Sequence, residues 1–323
     1  MVDEWEVLLP PEIDPSGPQS IAECAECTGM DEYESVDAAL DDIDRYDAVV
    51  VRVAPLDSDV IDDADRLKVI AKHGSGLDNV DIDAASERGA VVCNTPGVNA
   101  RSVAEHAIAL LFGVQRNLHT ADRHVRDGGW DRDAHRGHEI DGDSIGLMGF
   151  GSIGREVGRI AEGIGLDVIV YDSHRDDSVR DGIVRVPTLT ELCERSDIVS
   201  LHVPLTDETR GAISTEQLDA LGEDGVVINT ARGGVVDEDA LIDALDRDAI
   251  GGAGLDTFEN EPPGEDNPLV DDDRVLLTPH IGGVTVEALR RMSEGACENV
   301  RTVYEGGIPG STVNREAVEG AIQ

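Results

Sequence analysis

Gly149-Phe150-Gly151-Ser152-Ile153-Gly154 decides the reading of this chain. The hexapeptide closes an apolar run, residues 144–150, and opens a segment of helical spacing over 155–165. A glycine triplet at such a junction has a physical use. Gly149 permits the tight turn, Gly151 lets a pyrophosphate approach the backbone, and Gly154 lets helix and strand pack closely. Phosphate charge then meets the free N–H groups and positive dipole end of the helix. With 35 glycines in the chain a triplet arises by chance, so its context carries the weight. The next apolar run, 167–172, ends in an acid 18 positions beyond Gly154. An Asp there accepts hydrogen bonds from a ribose 2′-OH and repels a 2′-phosphate, so Asp172 favours NAD over NADP. Arg175 argues the other way, because an arginine in that loop serves a 2′-phosphate; NADP is not excluded. The plain alternative for Asp172 is a solvated turn acid.

Outward from this junction, short runs rich in Val and Ile alternate with helical patterns. One series of candidate strands covers 6–9, 48–52, 67–72 and 91–94; a second covers 144–150, 167–172, 197–203, 225–231, 252–258 and 274–278. Continuous apolarity marks strands buried on both faces, as in parallel sheets covered by helices, and βαβ units follow. Two long helices stand apart. One starts at Ser102, where Ser102 and Glu105 form a capping box, and runs towards Gly128; the other covers about 285–304. Each follows the end of a strand series. A chain that crosses out and returns gives a domain split over 1–98 and 290–323, around a continuous domain of 99–289.

Composition bounds the function classes. The 323 residues suggest two domains. The 26 basic and 68 acidic residues leave a net charge of −42, spread from end to end. Nucleic-acid binding needs a basic footprint that this chain lacks. No apolar run reaches the length of a membrane span, and the acidic start, with Glu4 and Glu6, is unlike a secretory leader. The only lysines are Lys68 and Lys72. Such a charge strains a compact state in dilute salt, whereas molar salt shortens the screening length to about 3 Å. The reading is a cytoplasmic protein of a cell with molar internal salt; the alternative is an ordinary acidic cytosolic enzyme. Cys24 and Cys27 have C-x-x-C spacing without a second ligand pair, so no metal site is expected; on a helix they are neighbours one turn apart. The five dispersed cysteines fit a reduced cytoplasm.

Three later clusters each follow a candidate strand: Asn229-Thr-Ala-Arg232-Gly-Gly, Asp256-Thr-Phe-Glu-Asn-Glu261-Pro and Thr278-Pro-His280-Ile-Gly-Gly283. Carboxyl ends of strands are where open α/β sheets bind ligands. Arg clamps a carboxylate with two hydrogen bonds, and His holds and donates a proton near neutral pH. A Glu beside the ring would hold it and favour its protonated form. Spacing alone does not show that the three converge. Singly, Arg232 reads equally as a surface charge, Glu261 as one acid among many, and His280 as a polar strand-end residue.

The sequence resembles the D-isomer-specific 2-hydroxyacid dehydrogenases, which include phosphoglycerate, glycerate, glyoxylate/hydroxypyruvate and D-lactate dehydrogenases. The stretches that carry the resemblance are His73-Gly-Ser-Gly-Leu-Asp-Asn79, Asn94-Thr-Pro-Gly, Ser102-Val-Ala-Glu-His, Leu147-Met-Gly-Phe-Gly-Ser-Ile-Gly154, Leu201-His-Val-Pro-Leu-Thr206 and Asn229-Thr-Ala-Arg-Gly-Gly-Val-Val-Asp237. It extends from about residue 67 to 314. It implies two doubly wound parallel-sheet domains, a Rossmann NAD domain (99–289) inserted into a flavodoxin-like substrate domain. It implies that His280 is the acid/base, Glu261 its partner and Arg232 the anchor for the substrate's carboxylate and carbonyl. Backbone N–H groups at Ser75 and Gly76 would bind the other side of the carboxylate. Ser152 and Ile153 would meet the pyrophosphate and Asp172 the adenosine ribose. His202, Pro204, Thr230, Ala231, Arg232, Asp256, His280, Gly282 and Gly283 would line the nicotinamide half. The resemblance also implies a homodimer built largely on the Ser102 helix, and an NAD-linked oxidoreductase acting on a 2-oxo acid/D-2-hydroxy acid pair.

Two rival functions remain. Phosphite or formate oxidation uses the same scaffold, although formate dehydrogenases resemble a version with Gln in place of Glu261. A non-catalytic NADH-sensing binding protein, like the co-repressors that resemble this family, differs from an enzyme in turnover. The chain ends soon after Asn314, so no C-terminal regulatory domain like that of the longer phosphoglycerate enzymes is expected. His73 and His106 read as packed or solvent-facing residues, with an approach to a substrate anion as the lesser alternative, and His119, His124, His135 and His138 as surface positions. His174 is a weak candidate for the adenosine. Lys72 and Arg101 each read equally as an anion contact or a plain structural residue.

Overall fold

In the computed structural model, residues 4–174 and 183–319 are described; Arg175 lies outside them. The chain forms two compact units, Met1–Asn99 with Val284–Gln323, and Ala100–Gly283. The return falls at Val284, earlier than residue 290, because the helix Val286–Tyr304 belongs whole to the first unit. Its N-cap, Thr285, accepts the Ala288 N–H at 3.1 Å.

The first unit holds β1 (Trp5–Leu9), β2 (Ala25–Gly29), β3 (Ala48–Val51), β4 (Val69–Lys72) and β5 (Val91–Cys93). They pair in parallel in the order β2-β1-β3-β4-β5, the flavodoxin-like order. Alternate side chains leave opposite faces of a strand, and both faces here are covered. Val7, Val50, Ala71 and Cys93 pack with Ile21, Ala296 and Val300 from two helices. Leu8, Val49, Ile70 and Val92 pack with Leu40, Ile61 and Ala85 on the other side. The helical reading of Cys24 and Cys27 is corrected. Cys27 lies in β2, an edge strand whose half-solvated residues lack the apolar run of the central strands. Both thiols are free, and burial pushes that of Cys27 up to about 11.

The second unit holds β6 (Ser144–Met148), β7 (Asp167–Tyr171), β8 (Val184–Arg185), β9 (Ile198–Leu201), β10 (Val226–Asn229), β11 (Gly252–Leu255) and β12 (Val275–Leu277). Their parallel order is β12-β11-β10-β9-β6-β7-β8. Counted from β6, this is the doubly wound 3-2-1-4-5-6 order of dinucleotide-binding sheets with one further strand. Ile145, Leu147, Val168, Val170 and Ile228 pack under the helices Ala100–Gln115 and Ser152–Gly163. Met148, Ile169, Val199, Val227 and Leu255 face the other layer.

Two expectations about the first long helix are corrected. It begins at Ala100, so Ser102 is a buried residue inside it and forms no capping box. It ends at Gln115, where Asn117 takes a left-handed φ of 50°, and a separate helix, Leu118–Arg126, follows.

Candidate active site

The strands β6, β7, β9, β10, β11 and β12 stop short of their apolar runs, and the residues left over form loops at the carboxyl ends. Gly149 is the first after β6. Its φ is +91°, and a Cβ there would stand 2.7 Å from the His202 carbonyl oxygen, so both conformation and space demand glycine. A Cβ on Gly154 would overlap the Gly149 carbonyl, which is the close helix–strand packing expected of it. Gly151 faces open space, and the helix Ser152–Gly163 starts without a side-chain cap. Asp172 is built into this turn. Its Oδ2 accepts the Phe150 N–H at 2.8 Å, its Oδ1 accepts the His174 N–H at 3.0 Å, and its carbonyl accepts from Arg185 Nη2 at 2.5 Å. Its carboxylate is thus held by two backbone N–H groups, one of them two residues further on, as in a turn acid.

Arg232 follows β10 in extended backbone, φ −147° and ψ 142°. Asn229 clamps its loop: Oδ1 accepts the Ala231 N–H at 3.0 Å and Nδ2 donates to the Arg232 carbonyl at 2.9 Å. The guanidinium donates from Nη1 to the Ala231 carbonyl at 2.7 Å. A Cβ on Gly233 would overlap the Phe258 and Glu259 backbone, so glycine is what lets the Arg232 loop lie against the loop that carries Glu261. Glu238, on the helix after the Arg232 loop, accepts the Glu259 N–H at 2.6 Å and ties the two loops again. Sequence reasoning missed Gly233; its place in the arginine motif was the available signal.

Glu261 and His280 meet. Glu261 Oε1 accepts the Phe258 N–H at 3.2 Å, and Oε2 lies 2.8 Å from His280 Nδ1. Both side chains remain accessible, at 40% and 49%. With Nδ1 tied to the carboxylate, Nε2 is the ring nitrogen that no described residue partners. His280 adopts φ +54°, and its N–H donates to the Asp256 carbonyl at 2.9 Å. Asp256 is buried and accepts from Thr278 Oγ1, Ile281 N and Gly282 N at 2.6, 2.8 and 2.8 Å. Burial by itself would raise its carboxyl pKa; hydrogen bonds from His106, Thr278, Ile281 and Gly282 outweigh that and hold it below the usual carboxylate range.

The same loops fit a dinucleotide. Thr230 Oγ1 and His202 Nδ1 are buried polar atoms without a hydrogen-bond partner among the described residues, and His202 lies against Gly149 and Gly154 of the glycine turn. His202 bonds Ser200 Oγ through Nε2 at 3.0 Å, and withdrawal from water drops its pKa to about 3. It is a neutral ring at physiological pH.

In the first unit, the 74–76 turn leads away from β4. Gly74 takes φ +143°, and its N–H donates to Thr95 Oγ1 at 3.0 Å. Asn94 Nδ2 donates to the Ser75 carbonyl at 2.8 Å. Among the described residues the N–H groups of Ser75 and Gly76 have no acceptor. Lys72 is buried, with Nζ donating to the Arg52 carbonyl at 2.6 Å and to Asn79 Oδ1. His73 is buried too, 3.3 Å from the Leu289 carbonyl, and burial drops its pKa to about 4. Arg101 pairs with Glu105 and Glu156. Of the histidines on or after the polar helix only His138 is exposed; the rings of His124 and His135 meet at a tilt of 56° with centroids 5.1 Å apart, and His119 bonds the Asp273 carbonyl at 3.0 Å.

The family model for D-isomer specific 2-hydroxyacid dehydrogenase, NAD binding domain, matches residues 108–282. The chain is 42% identical over 271 residues to a glyoxylate reductase of Korarchaeum cryptofilum, covering 82% of this chain and 81% of that one.

The chain belongs to the D-isomer-specific 2-hydroxyacid dehydrogenase family.

It is also 38% identical over 299 residues to a D-3-phosphoglycerate dehydrogenase of Methanocaldococcus jannaschii; the match covers 92% of this chain but spans only 56% of that relative's length. Among solved structures it superposes, with a TM-score of 0.85 and 32% identity, on an NADPH-dependent glyoxylate/hydroxypyruvate reductase of Sinorhizobium meliloti in complex with citrate, covering 96% and 98% of the two chains. In this family member the second unit is the α/β sheet that contains the NAD-binding match. Among the described residues no helix is long and apolar enough to cross a membrane.

Proposed function

We propose that this member interconverts a small 2-oxo acid and the D-2-hydroxy acid, with NADH as the hydride partner. The observation that carries the reading is the His280–Glu261 pair at the carboxyl end of the dinucleotide sheet. When bound, NADH supplies the hydride that reduces the carbonyl carbon. Protonated His280 gives the Nε2 proton to the carbonyl oxygen in reduction and takes it back in oxidation. Glu261 holds the ring through Nδ1. Arg232 clamps the substrate carboxylate and stabilises negative charge developing on the carbonyl oxygen. Ser152 and Ile153 N–H groups serve the pyrophosphate, Asp172 the adenosine ribose, and His202, Pro204, Thr230, Ala231, Asp256, Gly282 and Gly283 the nicotinamide half.

The test is NADH oxidation at molar KCl with glyoxylate, hydroxypyruvate, pyruvate, 2-oxoisocaproate and phosphohydroxypyruvate, repeated with NADPH. Turnover of at least one acid with NADH supports the reading. NADH binding without consumption across the panel favours the sensor reading instead.

The proposal includes a homodimer in a high-salt cytosol. The helix Ala100–Gln115, expected to form the dimer face, buries most of its residues within its own unit. The exposed apolar side chains of Leu118, Val125 and Trp130 are the better support for an interface. Light scattering at molar KCl should give twice the 34.4 kDa chain mass.

A further inference from the structure

We propose that His106 is a positioning residue for proton transfer by His280, acting through Thr278 and Asp256; this rests on the dehydrogenase reading above. His106 sits on the helix Ala100–Gln115 with its ring mostly buried. Its Nε2 lies 2.9 Å from Thr278 Oγ1 and 3.2 Å from Asp256 Oδ1. The Thr278 hydroxyl spends its proton on Asp256 Oδ1 at 2.6 Å, so its lone pairs face an Nε2–H of His106.

Asp256 then holds three successive residues. Its carbonyl accepts the His280 N–H, Oδ1 the Ile281 N–H and Oδ2 the Gly282 N–H, at 2.9, 2.8 and 2.8 Å. These bonds fix the turn in which His280 adopts its left-handed φ. A non-glycine residue keeps that conformation only where its surroundings over-determine it. Packing closes the arrangement: a Cβ on Gly282 would stand 3.0 Å from Asp256 Oδ2 and 3.6 Å from His106 Cδ2. Glu261 fixes the ring of His280 from one side; the His106–Thr278–Asp256 chain fixes its backbone from the other. Without His106, Thr278 Oγ1 and Asp256 Oδ1 lose one donor, the carboxylate gains freedom to swing, and the His280 turn relaxes away from Glu261.

Three variants test this: His106→Leu, His106→Gln and Thr278→Val. In the leucine and valine variants kcat should fall at least about tenfold per NADH-titrated site, since small misplacements of a reacting group are costly. NADH affinity, titrated alongside, should fall by a smaller factor than kcat. Glutamine, which restores an N–H donor, should recover most of the rate. Selective 15N-histidine NMR gives a readout independent of turnover: the His280 Nδ1–H signal bonded to Glu261 should be lost in His106→Leu and kept in His106→Gln. Unchanged kcat in both the leucine and valine variants, or an unchanged His280 signal in the leucine variant, overturns the proposal. Equal losses in the leucine and glutamine variants overturn it as well. If the wild type consumes no 2-oxo acid, the dehydrogenase reading fails separately, and the NMR comparison still decides whether His106 sets the His280 ring.

Discussion

His280 Nδ1 lies 2.8 Å from Glu261 Oε2, while Oε1 of the same carboxylate accepts the Phe258 N–H at 3.2 Å. A carboxylate anchored at one oxygen cannot follow the ring freely, so the imidazole has a set plane, with Nε2 the nitrogen proposed to react. General acid catalysis contributes roughly 10²–10⁴-fold. His280→Ala should therefore lose at least about 100-fold in kcat, with NADH affinity little changed in a fluorescence titration. Glu261→Gln keeps an acceptor for Nδ1–H but not the charge that stabilises an imidazolium. Its kcat should fall less than in His280→Ala, and the double variant should be no worse than His280→Ala alone, because the pair acts as a unit.

Arg232→Lys tests the anchor. Lysine keeps the charge but not the two-pronged fork. A hydrogen bond to a charged group is worth about 1.5–3 kcal/mol, so kcat/KM for the oxo acid should drop roughly 10–100-fold. An unaffected kcat/KM would remove Arg232 from substrate binding.

Asp172 bonds the Phe150 and His174 N–H groups, which holds its carboxylate at the glycine turn. Asp172→Ser removes an acceptor for a ribose hydroxyl and a charge that repels a 2′-phosphate. The NADH/NADPH ratio of kcat/KM should fall by about tenfold or more. A constant ratio would place the selectivity elsewhere.

His73 and His202 predict the acid limit of stability. Their folded pKa values, about 4 and about 3, lie below the ordinary 6.5. The unfolded chain thus binds protons that the folded chain refuses, so stability is complete above about pH 6.5 and falls as pH drops towards 4 and then 3. Urea midpoints measured across this window should decline, and His202→Asn should flatten the slope relative to the wild type. Equal slopes would show that His202 is solvated in the folded chain.

The net charge of −42 predicts the salt response. Screening self-repulsion should raise the melting temperature between dilute buffer and molar KCl. A melting temperature that falls with KCl would contradict the high-salt reading.

How much of this the sequence revealed follows from burial. The central strands β3, β4, β6 and β9 are apolar at nearly every position because helices cover both faces, and such runs are legible. Edge strands β2 and β8 are not: one alternates polar residues at a solvated border, and the other is two residues long. The Ser102 capping signal failed because helix starts are settled by packing as well as by local chemistry, and Ser102 is buried within the first turn of a helix that begins at Ala100. Strand ends carried the candidate site well, since glycine, arginine, glutamate and histidine clusters stand out against apolar runs. His106 was illegible: a single histidine on an apolar helix gives no sign that Thr278 and Asp256, far along the chain, fold against it.

The most direct test of the central claim uses NADH deuterated at the transferring position of nicotinamide C4, with the best oxo acid of the panel, followed by analysis of the product. Deuterium at C2 of a D-2-hydroxy acid is expected, with almost no product when His280 is replaced by alanine. An L-configured product, product without deuterium at C2, or full turnover in the His280→Ala enzyme would contradict it.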